Sequence, residues 1–313
     1  MTAPVPIQLI RGRHRRSETL PRDKKPSWLR VRAPGSQDYL QLKRLIRTLS
    51  LTTVCEEANC PNIGECWSHG TATFMILGDI CTRSCGYCNV IHGTPQEIDT
   101  KEPDRIAEAV KTLGLQHVVI TSVDRDDIDD GGSGAFASTI AAIRGQSSQC
   151  RIEVLIPDFS GRTNDLYTVL NAAPNILNHN IETVERLYRL ARPGGRYTRA
   201  LDLLKKSNNY RPSIPTKSGL MVGLGESIDE LFITMSDLRD AGCNILTIGQ
   251  YLRPSIAHLP IIRYYHPDEF KMLQKHAIEL GFQHVESGPL VRSSYHAHEQ
   301  ANAAKLSSTS CSA

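Results

Sequence analysis

From Thr73 onward, short apolar runs alternate with segments whose apolar residues recur at helical spacing. Short, largely apolar runs predict strands of four or five residues at 74–77, 117–121, 152–156, 176–179, 219–222 and 245–248. Amphipathic spacing predicts helices at 103–113, 136–143, 165–170, 184–190, 227–240 and 267–280, and an earlier one at 37–49 carrying Tyr39, Leu40, Leu42, Leu45 and Ile46. Six βα alternations imply an α/β fold whose parallel sheet has its helices outside, either curled into a partial (β/α)6 TIM-like barrel or left open. In the barrel version, polar residues just past the strand ends face the active site. Those are Thr121 and Ser122, Asp158, Asn180 and Glu182, and Gln250 and Tyr251.

The pattern divides the chain into an Arg- and Pro-rich N-terminal extension (1–50), a turn-rich cysteine loop (51–72), the alternating core (73–287) and a C-terminal segment (288–313). The first residues, MTAPVPIQLIRGRHRRS, are basic without acids but lack an amphipathic period, so a flexible arm is expected rather than a transit peptide. The tail after Gln300 is rich in Ala, Ser and Thr and is expected to be mobile.

With 313 residues and 40% hydrophobic content, the chain can bury one large core with a small appendage. A net charge of +3 gives no field arguing for nucleic acid as the main partner, though an acidic protein partner fits. No apolar run reaches membrane-spanning length, so no membrane association is expected. Nine cysteines alter the picture more than any of these figures, because six fall between Cys55 and Cys88. An odd total without a secretory leader argues for metal ligation over a disulfide framework, and for a reducing, cytoplasmic location.

Cys81, Cys85 and Cys88 lie in CTRSCGYC, directly after the first core strand. Three thiolates on one tight loop can hold three irons of a cubane and leave the fourth open to a bound molecule. A zinc knuckle is the competing reading, but structural zinc takes four closed ligands, commonly as two separated pairs. Cys55, Cys60 and Cys66, in CEEANCPNIGEC, repeat the three-thiolate pattern, and a second cluster is the economical reading. Cys150 and Cys243 read as core thiols, whereas Cys311 in the tail has no assigned task.

The C-x3-C-x2-C pattern, with Tyr87 just before its last cysteine, resembles the signature of the radical S-adenosylmethionine (SAM) superfamily. The resemblance implies that the cofactor's methionyl amine and carboxylate chelate the open iron, and that Tyr87 lies near the adenine. Together with GPLVRSSYHA (288–297), TKSGLMVGLGE (216–226), TIGQYLRPS (247–255) and HLP (258–260), the second cysteine group resembles the lipoyl synthase family from about residue 25 to 300. That likeness implies a radical SAM barrel with N- and C-terminal extensions and two 4Fe–4S clusters. The auxiliary cluster would be held by Cys55, Cys60, Cys66 and Ser294 and consumed as the sulfur source. Serine is a harder, poorer iron ligand than thiolate, which suits a cluster that must come apart.

The run NHNIET (178–183) resembles NHNLDT of biotin synthase, which implies that Asn180 and Glu182 hold the ribose. His179 between them reads as a packed or backbone-bonded histidine. Thr121 and Ser122 are placed to contact the methionyl part, and Arg192 and Lys217 are candidates for a carboxylate, with a surface salt bridge as the alternative for each. The acidic run DRDDIDDGG (124–132) lacks the closing glutamate of an EF-hand; the resemblance implies a loop near the active-site opening, and a solvated turn is the alternative. Gly194, Gly195 and Ala200 stand where other family members often carry larger or hydroxyl-bearing residues.

The resemblance implies sulfur insertion at C6 and C8 of a protein-bound octanoyl-lysine. Implied partners are octanoylated carrier domains (2-oxoacid dehydrogenase E2 subunits, glycine cleavage H protein), a reductant such as ferredoxin or flavodoxin, and an iron-sulfur carrier for cluster repair. The rivals are another sulfur-inserting enzyme of the biotin synthase type and a non-catalytic two-cluster electron carrier.

Overall fold

The computed structural model describes residues 25–31, 35–58, 60–68 and 71–295; the N-terminal arm, the tail after Gln300 and Cys311 lie outside them. Helix α1 (Gln37–Thr48) opens on Ser36, whose hydroxyl accepts from the Tyr39 amide at 3.2 Å, and buries Tyr39, Leu42 and Ile46. After the two-residue β1 (Thr52–Thr53), the segment of Cys55, Cys60 and Cys66 folds as two short helices, α2 (Val54–Glu57) and α3 (Ile63–Ser68), with Cys60 between them. The composition there predicts an irregular loop held by its ligands. Instead Thr53 caps α2 through the Glu56 amide, and Trp67, 2% exposed, stacks on Tyr39 with ring centroids 5.0 Å apart. Packing therefore shares the work of holding this segment.

Strand β2 (Thr71–Ile76) begins the core. The small parallel pair β3 (Ile80–Cys81) and β4 (Ile91–His92) brackets the loop of Cys81, Cys85 and Cys88. Then follow α4 (Glu102–Thr112), β5 (His117–Ser122), α5 (Ser133–Gln146), β6 (Arg151–Leu155), α6 (Thr163–Asn171) and β7 (Ile176–Asn178). Two helices come next, α7 (Glu185–Ala191) and α8 (Tyr197–Tyr210), and then β8 (Thr216–Val222), α9 (Ile228–Asp240), β9 (Ile245–Gln250), α10 (Pro267–Glu279) and β10 (His284–Gly288).

The sheet order is β1-β2-β5-β6-β7-β8-β9-β10, parallel throughout except that β1 pairs antiparallel with β2. This is the mostly parallel sheet with outer helices expected of a partial TIM-like barrel. Its strands are buried on both faces, as in β2 and β9, so they read as continuous apolar runs. Burying each of Phe74, Ile120 and Val154, all 0% exposed, contributes about 1.5–3 kcal/mol.

Besides the short elements around the cysteines, helix α8 and strand β10 go beyond the sequence expectation. Helix α8 buries Tyr197, Ala200, Leu203, Leu204 and Ser207, a stripe partly made of small or polar residues. Strand β10 is an edge that pairs with β9 and buries only Val285. Across the ends of the sheet, Asn62 Nδ2 donates to the Leu290 carbonyl at 2.7 Å and the Tyr295 hydroxyl reaches Glu65 at 3.1 Å. Among the described residues no helix is long and apolar enough to cross a membrane.

Candidate active site

The loop from Cys81 to Cys88 is held from four sides. Two backbone amides, of Arg83 at 3.4 Å and Asp124 at 3.3 Å, donate to Cys81 Sγ. Gly86 donates to Ala191 O and accepts from the Leu259 amide, both at 2.9 Å, and a Cβ on Gly86 would come within 2.9 Å of Leu259 Cγ. His258 Nε2 bonds the Cys88 carbonyl at 2.9 Å while its Nδ1 meets Ser255 Oγ. Asn89 Nδ2 donates to the Glu57 carbonyl at 2.7 Å, joining this loop to the helix that carries Cys55.

Arg83, between the first two cysteines, is the main anchor and was not singled out from sequence. Its side chain is 5% exposed and contacts Asp126 at 2.6 Å, Asp158 at 2.7 Å and Asp124 at 3.3 Å. Asp158 is in turn held by Arg199 at 3.0 Å, and the Arg83 guanidinium keeps its carboxyl below the usual range against the opposing effect of burial. The acidic run is thus not a calcium loop, and although Asp126, Asp127 and Asp129 are exposed it is tied down by specific partners. Asp124 and Asp126 grip Arg83, Asp127 pairs with Arg125, and Asp130 accepts from the Gly132 and Gly134 amides to cap α5.

Beside Cys85 and Cys88 lie Tyr87, Asn180, Glu182 and Arg192. Burial pushes the Glu182 carboxyl up, opposed by Arg192 and by bonds from Asn180 and Tyr87. Arg192, 6% exposed, donates through Nη1 to Asn180 O at 2.9 Å and to the Tyr188 hydroxyl at 3.2 Å. A Cβ on Gly195 would meet Arg192 Cδ at 2.9 Å, so glycine there leaves room for this guanidinium. Among the described residues, Asn180 Oδ1, Ser122 Oγ and Arg192 Nε are buried without a hydrogen-bond partner. The Thr121 hydroxyl, by contrast, is bonded to Leu155 O at 3.0 Å. An unfilled amide oxygen and a guanidinium N–H beside a half-buried carboxylate, with a further free hydroxyl at the end of β5, form a donor and acceptor set that fits a nucleoside carrying an amino acid.

His179 is fully buried, with Nδ1 2.8 Å from Ile156 O and Nε2 3.5 Å from Arg192, as a backbone-bonded histidine should be. Burial, reinforced by Arg192, lowers its pKa to about 3, so it is neutral. Lys217 belongs to neither alternative read from sequence. It is 0% exposed and paired with Glu153 at 2.9 Å, in a buried group with His117 and Asn178.

Cys55, Cys60 and Cys66 line one recess together with Arg292, Ser294 and Tyr295. Burial raises all three thiols, Cys55 to about 12, and each is raised further by, or itself raises, another of the group. Burial likewise raises Cys85 to about 12 and Cys88 to about 11. Three thiols brought together in each group fit metal ligation, which takes each as a thiolate. Among the described residues no three His, Cys, Asp or Glu side chains converge on one ion. Thiols that each bind a different iron of a cubane have no need to. Cys150 and Cys243, 6% and 0% exposed, are core thiols as expected.

Comparison with known proteins agrees with this geometry. Residues 75–238 match the Radical SAM superfamily, and residues 7–60 match the N-terminal domain of lipoyl synthase. A lipoyl synthase of Rubrobacter xylanophilus is 55% identical, covering 96% of this chain and 91% of its own. One of Koribacter versatilis is 58% identical over 90% and 92%. In fold alone, the chain is similar to the FeFe-hydrogenase maturase HydG (TM-score 0.52, 13% identity, 85% of this chain and 74% of that one). Methylornithine synthase (PylB) gives a TM-score of 0.50 at 13% identity, covering 80% and 83%.

Proposed function

The chain belongs to the lipoyl synthase family of radical SAM enzymes, and from that premise we propose that it inserts sulfur at C6 and C8 of a carrier-bound octanoyl-lysine to give lipoyl-lysine. It is a sulfurtransferase, and its cofactors are SAM and two 4Fe–4S clusters. When bound and reduced, the first cluster with SAM supplies a 5′-deoxyadenosyl radical that takes hydrogen from carbon, and the second cluster supplies sulfide.

In this reading Cys81, Cys85 and Cys88 hold the radical-generating cluster, and Cys55, Cys60, Cys66 and Ser294 hold the auxiliary one. Asn180 and Glu182 bind the ribose, Tyr87 walls the adenine, and Ser122, Thr121 and Arg192 face the methionyl part. These buried groups orient the cofactor and keep water from a radical that must meet only one C–H bond. The observation that carries the reading is the pair of three-thiol groups: one stands beside Tyr87, Glu182 and Arg192, the other in the recess that Ser294 lines.

A lipoyl-carrier protein and a reductant are the partners this activity requires. We assign the carriers to 2-oxoacid dehydrogenase E2 subunits and the glycine cleavage H protein, the reductant to ferredoxin or flavodoxin, cluster repair to an iron-sulfur carrier, and the location to the cytoplasm. The test is anaerobic reconstitution with iron and sulfide, then incubation with SAM, reductant and an octanoylated carrier peptide. Mass spectrometry should find 5′-deoxyadenosine and a peptide carrying two added sulfurs; finding neither would defeat the reading.

A further inference from the structure

The segment that presents Asn180 and Glu182 is not a regular strand. Leu177 and Asn178 of β7 stand opposite Thr216 and Lys217 of β8, and pairing resumes where Glu182 meets Leu220. Between these points β7 advances four residues, from 178 to 182, while β8 advances three, from 217 to 220. The extra residue is a bulge, a device that re-aims side chains and is rare between parallel strands. Glu182 closes it with φ at +68°, in the left-handed region.

The ladder on either side is complete. His179 N donates to Lys217 O at 3.0 Å, Glu182 N to Gly219 O at 2.9 Å, and Met221 N to Glu182 O at 2.8 Å. Arg192 takes the Asn180 carbonyl, and Thr183 N takes that of Ile181. Inside the bulge, the His179 carbonyl and the Ile181 amide remain to be satisfied by β8, and the Ser218 hydroxyl serves both. It donates to His179 O and accepts from Ile181 N, each at 3.0 Å. Ser218 is 0% exposed, so water cannot replace it without rearrangement. The next residue, Gly219, makes the matching space: a Cβ there would lie 2.6 Å from Asn180 Oδ1, the buried oxygen without a partner among the described residues.

We propose that Ser218 is a positioning residue for ribose recognition: its hydroxyl splices the bulge in β7 and thereby aims Asn180 and Glu182 at the nucleoside of SAM. The inference rests on the reading that this pair binds the ribose. Removing the hydroxyl leaves a buried amide and carbonyl unpaired at the two ends of Asn180, so the bulge relaxes and the amide loses its aim. A serine needed only for packing would have no effect specific to the ribose.

The test uses the full chain reconstituted with both clusters and measures, by equilibrium dialysis, dissociation constants for SAM and for an analogue lacking the ribose 2′-hydroxyl. The native protein should prefer SAM. Ser218→Ala should shrink that preference by about tenfold, the worth of one well-placed hydrogen bond of ~1.4 kcal/mol. Ser218→Thr, which keeps the hydroxyl, should restore it. Gly219→Ala displaces the Asn180 amide without touching the hydroxyl and should reproduce the loss, which keeps the test open if Ser218→Ala does not fold. A Ser218→Ala protein that retains the native preference, with affinity for both ligands unchanged or lowered equally, overturns the inference and leaves the ribose reading standing. A native protein that does not distinguish the two ligands overturns the ribose reading itself, and the inference with it.

Discussion

Asn89, one residue past the last cysteine of the CTRSCGYC loop, donates its side-chain amide to the carbonyl of Glu57, two residues past Cys55, over 2.7 Å. This single bond joins the two cysteine groups directly. A carbon radical made at one cluster must reach sulfide at the other before it is quenched, so a fixed separation matters more than the stability of either group. Asn89→Ala should therefore load both clusters normally and still cleave SAM. The yield of thiolated peptide per 5′-deoxyadenosine should fall roughly fivefold, the equivalent of ~1 kcal/mol of lost orientation. Quantifying both products in one reaction checks this, and an unchanged ratio would remove Asn89 from the coupling.

Arg83 satisfies three carboxylates from the ends of β5 and β6. Removing it takes one of two paired cations from Asp158, which is 2% exposed and keeps Arg199, and takes its cation from Asp124, so Arg83→Leu should cost about 3 kcal/mol in chemical denaturation. Arg83→Lys keeps the charge but loses the planar fork, and should fall between that variant and the native protein. Equal losses for lysine and leucine would mean that the fork geometry does not matter.

The Lys217 and Glu153 pair is wholly buried, and the ammonium holds the carboxyl below its ordinary range against burial. Lys217→Met alone leaves an uncompensated carboxylate and should destabilise by about 3–5 kcal/mol, whereas Lys217→Met with Glu153→Leu should recover most of that. Urea denaturation of the two variants decides it. A double variant as unstable as the single one would show that the pair contributes more than mutual neutralisation.

His179 has a pKa of about 3 in the folded chain, against about 6.5 when unfolded. The unfolded state takes up a proton first as pH falls, so folding loses stability from about pH 6.5 down to the folded value, at about 1.4 kcal/mol per pH unit. Stability in that window should thus be flatter for His179→Gln than for the native chain. Denaturation midpoints compared between pH 7 and pH 5 check the slope, and equal slopes would assign the loss to other groups.

The core strands were legible because burial on both faces leaves unbroken apolar runs such as Val118 to Ile120. Helix α8 was not, because Ala200 and Ser207 occupy core positions in its stripe and RPGGR precedes it. Strand β10 escaped because an edge strand needs little more apolar content than Val285. At the site, the cysteine spacing announces its chemistry, since thiols so grouped have few other uses. Arg83 and Ser218 announce nothing: what they hold depends on Asp158, 75 residues away, and on a bulge in β7 that no local pattern marks.

The division of labour between the two thiol groups is tested most directly by Cys55→Ala, reconstituted anaerobically and incubated with SAM, reductant and octanoylated peptide. 5′-Deoxyadenosine should still form while the peptide gains no sulfur, whereas Cys81→Ala should abolish both products. A Cys55→Ala enzyme that still thiolates the peptide would contradict the account.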